Sequence, residues 1–172
     1  SNTAYAFEFG RADNYENTYF YDGSCGTRTY SVENGGSFAN VFTTGQNDGC
    51  RDELIGAVGA AFSESGISYK IQVYTDLKDP GEPTSGEPAG EAITGVTQTA
   101  GYQTFVLDDP VRAVCGTYFS VVITLQGYSD SVSMFADQSY ENGDWIGFRN
   151  ETAAGQSFAK NSEGSWKDLH DV

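Results

Sequence analysis

The sequence is poor in positive charge: its 172 residues hold 9 Lys and Arg against 24 Asp and Glu, a formal net charge of −15. That balance excludes nucleic acid as a partner, because neutralising phosphates takes clustered Lys and Arg. It argues equally against docking on anionic lipid. No apolar run approaches the roughly 18 residues of a membrane-inserted span. A single histidine, His170, and three cysteines with no Cys-x-x-Cys spacing leave no zinc pattern. One Met and 21 glycines argue against long helices. What is present excludes general disorder, since 38% of the chain is hydrophobic and 14% aromatic. The remainder is an acidic, aromatic-rich, all-β chain of one-domain length. It starts at Ser1-Asn2 with no Met or signal-like segment, and so reads as a piece of a longer protein.

Residues 1–18 show no sustained period and read as an arm; the folded domain is expected over 19–172. Tyr19-Phe20-Tyr21 opens a short β-prone run, stopped by Asp22-Gly23. Thr29 to Val32 is a second run, closed by the turn signal Asn34-Gly35-Gly36. Ser37 to Thr44 reads as a strand with Phe38, Asn40 and Phe42 on one side and Val41 on the other. In Glu53 to Phe62 a helical stripe and a strand face both fit Leu54, Val58 and Phe62, but Gly56 and Gly59 favour the strand. Ile67 to Thr75 alternates cleanly, with Ile67, Tyr69, Ile71 and Val73 on one face. Residues 76–92, with Pro80, Pro83, Pro88 and three glycines, read as a long surface loop. Gln103 to Leu107 returns to alternation, and Asp108-Asp109-Pro110 is expected to turn the chain. Tyr118 to Leu125, nearly continuous and β-branched, belongs in the middle of a sheet. Trp145 to Arg149 and Ser157 to Lys160 are further short strands. Many short strands divided by turns predict two packed antiparallel sheets, an all-β, jelly-roll-like sandwich.

The order of these segments resembles a known family. Its first part is Tyr19 to Gly23, Phe38 to Thr43, Val73-Tyr74-Thr75-Asp76-Leu77 and the loop Asp79-Pro80 to Ser85-Gly86. The second is Ala100-Gly101-Tyr102, Val106-Leu107-Asp108, then Pro110-Val111 with Gly116-Thr117-Tyr118-Phe119-Ser120-Val121-Val122. Ala154-Gly155-Gln156-Ser157-Phe158 and Gly164-Ser165-Trp166-Lys167-Asp168-Leu169 close it. Over residues 19–169 the chain resembles the lectin-like β-sandwich domain that accompanies papain-like cysteine peptidases in secreted or surface proteins of anaerobic bacteria and some archaea. The resemblance implies a noncatalytic accessory domain, secreted or at the cell surface. Its partners would be the parent's peptidase domain and a neutral glycan or surface protein. The alternative is a spacer that packs on the peptidase and has no ligand of its own. The family runs on into one more strand, so this domain is expected to lack a final one, and the cysteines do not belong to the shared pattern.

Candidate sites follow from the residues. Gly23-Ser24-Cys25-Gly26 superficially resembles a cysteine-peptidase nucleophile. However, the tryptophan-bearing sequence expected after it is absent, and His170 sits near a chain end where a base is poorly held, so no catalysis is expected in this chain. Glycoside hydrolysis gains no support, because 24 acids will place some pair at a suitable separation by chance. No cofactor is called for except a structural calcium, for which Asp76, Asp79, Asp108 and Asp109 offer hard oxygen ligands; Asp109-Pro110 fits a plain turn equally well. Tyr19, Tyr21, Trp145 and Trp166 offer flat faces for sugar stacking, although Trp166 also fits as a plug at the end of the sandwich. Ligand contact is expected in the loops Asp76–Glu91 and Asn142–Trp145 rather than on a sheet face. For the cysteines, a Cys25–Cys50 disulfide is expected, both lying in Gly-rich turn sequence, and would contribute roughly 3.5 kcal/mol by loop closure. The alternative is three reduced thiols, with Cys115 buried as a small apolar residue.

Overall fold

The computed structural model describes residues 15–21, 28–45, 50–136, 140–142, 146–148 and 153–171. The strands are β1 (Arg28–Glu33), β2 (Ser37–Thr43), β3 (Glu53–Phe62), β4 (Ser68–Thr75), β5 (Glu87–Val96) and β6 (Gly101–Ala113). They continue with β7 (Tyr118–Gln126), β8 (Ser131–Ala136), β9 (Tyr140–Asn142), β10 (Ile146–Phe148), β11 (Ser157–Lys160) and β12 (Lys167–Asp168), and a 3-10 turn, Leu169–Asp171, follows. Antiparallel pairing arranges them as a four-stranded sheet, β1-β8-β3-β6, a six-stranded sheet, β12-β11-β2-β7-β4-β5, and the separate β9–β10 pair. The two larger sheets pack as a β-sandwich around one main core.

Alternation decides what enters that core. From the six-stranded sheet come Phe38, Ile71, Val73, Ile123 and Leu125; from the four-stranded sheet come Val32, Val58, Ala60, Phe62, Val132 and Met134. β7 is central, as its apolar run demands, and both of its faces are buried. Leu125 points inward, while Ser120 and Val122 point outward and are buried all the same. Their cover is the segment after β4. Leu77 packs with Ala39, Val41, Val122 and Phe158. The Ser120 hydroxyl donates to the buried Pro83 carbonyl at 2.5 Å, and the Leu77 N–H donates to the Tyr118 carbonyl at 3.1 Å. Gly86 has no room for a Cβ against the Thr75 carbonyl, so only glycine lets this segment close back onto the sheet.

Three local expectations are corrected. Residues 76–92 are not all loop, because β5 begins at Glu87 and carries Pro88 and Gly90. Asp108-Asp109-Pro110 does not turn the chain; it lies within β6, where a register shift opposite Ile55–Ala57 takes up residues 107–110. Both prolines sit on edge strands, where a missing N–H breaks no interior ladder. Tyr19-Phe20-Tyr21 forms no strand and belongs to no sheet.

The cysteine pairing is also corrected. Cys50 is bonded to Cys115, with Cα atoms 5.5 Å apart and a sequence separation of 65, so it is not available to Cys25, which lies outside the described residues. Register is the cause. Glu53 pairs with Ala113 at the end of the β3–β6 ladder, so a residue just before β3 and one just after β6 must meet.

Candidate functional site

The aromatic residues nominated for sugar stacking are mostly engaged. Tyr19 meets Phe119 edge-on at 5.3 Å, and its hydroxyl donates to Glu53 Oε1 at 2.7 Å, the same oxygen that accepts the Gly45 N–H at 3.2 Å. Loss of water around the hydroxyl, reinforced by the Glu53 carboxylate, pushes Tyr19 up to about 12. Tyr21 stacks on Phe42 at 4.7 Å and donates to the Val41 carbonyl at 2.5 Å; burial raises it too. Trp166 is half-buried against the Leu77–Phe158 cluster, its indole N–H 3.4 Å from Thr84 Oγ1 and Lys160 Nζ 5.1 Å from its ring centre. This packing fits the plug reading of Trp166. Trp145 lies outside the described residues.

The nominated acids do not gather. Asp76 takes a left-handed φ of 53° at the exit of β4. Asp79 organises its own turn: its carboxylate accepts the Gly81 N–H at 2.8 Å, and its backbone exchanges hydrogen bonds with the Ser85 hydroxyl. Asp108 and Asp109 are exposed in the irregular part of β6. Among the described residues, no group of three or more His, Cys, Asp and Glu side chains is placed to hold a metal. In the expected binding loop Asp76–Glu91, Leu77 and Pro83 are buried over the outer face of the six-stranded sheet and β5 begins at Glu87, while Asp76, Lys78, Asp79, Gly81 and Glu82 are exposed.

What sequence reasoning missed is a face. On the outer surface of the four-stranded sheet, Ala57 pairs with Val106, Gly59 with Thr104 and Ala61 with Tyr102. Leu54, Val106 and Tyr102 are 71%, 70% and 67% exposed. The Tyr102 ring lies across the backbone of Gly59, in space that any Cβ there would occupy. No residue from Leu54 to Phe62 or from Gly101 to Leu107 is charged, in a chain of net charge −15. The signal was available: a strand with one wetted face normally alternates apolar with polar, whereas β3 is apolar or small on both faces.

The face has a seam and a clamp. Among the described residues β3 meets β8 only at Phe62 and Met134, so the two strands part. A cleft of 1430 Å³ opens here into the space between the two sheets, with Tyr15, Phe20, Asn40, Val58, Ile123 and Phe135 in its walls. At the other end Asp52 joins the strands: Arg112 Nε donates to it at 2.8 Å, Arg112 Nη2 makes a second contact, and the Cys115 N–H donates at 3.0 Å. That N–H first, and Arg112 second, hold Asp52 below the usual carboxylate range. Nothing in this arrangement activates a nucleophile; it provides an uncharged patch from Ala57–Val106 to Ala61–Tyr102, bordered at the Leu54 end by the Arg112–Asp52 pair.

Residues 18–172 match the model of the lectin-like domain family. The chain belongs to that family. No curated protein matches it. Solved structures share its fold. A clostridial cysteine protease, Cwp84, after propeptide cleavage is 12% identical with a TM-score of 0.59, over 84% of this chain and 36% of that one. The cysteine protease and lectin-like domains of Cwp84, a surface layer associated protein of Clostridium difficile, match at 12% identity and a TM-score of 0.58, over 83% and 32%. The lectin-like chain thus spans about a third of the length of either. It corresponds to the part of Cwp84 that is separate from the protease domain.

Proposed function

We propose that this lectin-like domain is a noncatalytic accessory domain of a secreted or surface cysteine peptidase, which it orients and holds at the cell surface. The observation that carries this reading is a contrast in cover: Leu77 and Trp166 pack over the centre of the six-stranded sheet's outer face, whereas on the other outer face the stretch from Ala57–Val106 to Ala61–Tyr102 is uncharged and leaves Val106 and Tyr102 exposed. A domain with that asymmetry is built as part of an assembly, because exposed contiguous apolar surface marks interaction sites. The engagement of Tyr19, Tyr21 and Trp166 in packing supports contact with protein over sugar stacking at those residues. If the surface target is a glycan, a neutral one suits a chain of net charge −15 better than a sulfated or phosphorylated one.

The test uses the native polypeptide with residues 18–172 deleted. Peptidase is expected to be lost from the cell-surface fraction to the medium, while kcat/KM on a short soluble peptide stays close to that of the intact protein. Unchanged surface retention would overturn the reading.

A further inference from the structure

We infer that the end of the sandwich carrying Tyr128 is a contact site for a neutral glycan, one sugar ring stacking on the tyrosine. This rests on the accessory reading above and names the chemistry of the surface target. The turns 34–36, 63–67, 97–100 and 127–130 meet at this end, whereas the 76–86 segment leaves β4 at the opposite one. Tyr128 is 99% exposed, against 67% for Tyr102 and 41% for Tyr118, and no other large apolar or aromatic side chain among the described residues is so bare. Both faces of its ring are therefore open. A loosely held turn would let such a ring fold back onto apolar surface, but this turn is pinned. The Asn34 side chain grips Gly127 from both sides, its Nδ2 donating to the carbonyl at 3.1 Å and its Oδ1 accepting the N–H at 2.9 Å. The Asn34 N–H donates to the Asp130 carbonyl at 2.9 Å. Gly127 itself sits too close to Ile67 for any Cβ.

The neighbouring turn is held as firmly. The buried Thr97 hydroxyl donates to the Glu64 carbonyl at 3.0 Å and accepts the Ile67 N–H at 2.9 Å, and the Gly66 N–H donates to the Thr97 carbonyl at 2.8 Å. Gly66, at φ 80°, lies beside the tyrosine: Tyr128 Cε2 is 4.0 Å from where a Cβ would stand. The platform is thus ordered before any ligand arrives, which lowers the cost of binding. Its chemistry selects the occupant. The four turns hold no Lys or Arg, and Glu64 and Asp130 stand exposed in them as acceptors. A sugar ring offers an apolar C–H face to the aromatic and hydroxyls that donate to carboxylates, whereas an anionic sugar is repelled. One bare ring among Ser65, Gln98, Thr99 and Ser129 is too small an apolar area for a protein interface, whose centre is a contiguous buried patch. Contact of one or two sugars is weak alone and gains strength where several copies are displayed on one surface.

An NMR titration of the 172-residue chain tests this, with maltotriose, cellotriose, mannotriose and chitotriose as neutral probes and trigalacturonate as the anionic one. At least one neutral probe is expected to give saturable shifts centred on residues 63–67, 97–100 and 127–130, and trigalacturonate none. Tyr128→Ala should weaken that binding about 2- to 10-fold, the range for an aromatic contact. Tyr128→Phe should retain it, because stacking needs the ring and not the hydroxyl, and Tyr102→Ala should leave it unchanged. The substituted tyrosine is fully in solvent, so folding is retained, and a far-UV spectrum checks it. No saturable binding of any neutral probe, binding unchanged by Tyr128→Ala, or trigalacturonate binding as tightly would each overturn the site. Surface retention of the polypeptide lacking residues 18–172 decides the accessory reading separately. Lost retention with no sugar binding keeps the accessory role and removes the glycan site; sugar binding through Tyr128 with retention unchanged keeps the site and removes the accessory role.

Discussion

The two outer faces of the sandwich are built from strands of similar apolar character, yet they are stabilised by different means. On the six-stranded sheet, Ala39, Val41, Val122 and Phe158 lie under the chain's own segment 76–86, with Trp166 beside it. On the four-stranded sheet, Leu54, Val106 and Tyr102 stand in solvent, and order is kept at the strand ends by the Cys50–Cys115 disulfide and the Asp52–Arg112 pair. The first face is held by packing and the second by staples. The lesson is that a bare apolar face need not be an unstable one: a clamp can hold a sheet in shape without using the surface that a partner needs.

The contrast breaks most directly at the disulfide. Replacing Cys50 and Cys115 together with Ser should lower unfolding free energy by about 4 kcal/mol on the chain-entropy model for a 65-residue separation, measured by urea denaturation. A nonreducing peptide map should find Cys50 and Cys115 joined. A loss of under about 1 kcal/mol would show that the bare sheet does not rely on this clamp.

A pair of leucines sharpens the comparison. Leu77→Ala, on the covered face, should cost about 2–4 kcal/mol, because it opens a cavity against Val122 and Phe158. Leu54→Ala, on the bare face, should stay within about 0.5 kcal/mol in the 172-residue chain. Equal costs would mean that the two faces are buried alike in solution.

The smallest effect belongs to the exposed ion pair. Asp52 has a folded value below that of an unfolded aspartate, so its contribution is present above about pH 4 and fades as pH falls through the folded value. Asp52→Asn should therefore flatten the acid limb of a stability–pH profile and leave the limb above pH 7 unchanged. Overlapping acid limbs would remove Asp52 from the clamp.

Much of the fold was legible because alternation is a local property. Tyr69, Ile71 and Val73 declare β4, the unbroken run from Tyr118 to Leu125 declares a central strand, and Asn34-Gly35-Gly36 closes the β1–β2 turn, with Gly35 at φ 83°. Pro88 and Pro110 misled because a proline is read as a break unless the strand is known to be an edge, and edge position is set by sheet order. Tyr19 and Tyr21 read as exposed because nothing near them in sequence reveals Phe42 and Phe119, which cover their rings. Asp79 was open to two readings, turn former and calcium ligand, because the two carboxylates look the same in sequence; the Gly81 N–H it accepts shows its part in the turn.

By itself the sequence determined an acidic, strand-built domain, most of its strands and the inward side of β4, since a period of two and the scarcity of basic residues require no knowledge of distant contacts; in β3 it put Leu54 with Val58 and Phe62, and the register shift at Ile55–Ala57 turns Leu54 outward instead. Tertiary structure alone decided the Cys50–Cys115 pair, the cover laid by Leu77 and Pro83, and the exposure of Leu54, Val106 and Tyr102. Alternation defines two faces on every strand, but only the three-dimensional path of segments far away in sequence decides which of them the chain itself buries.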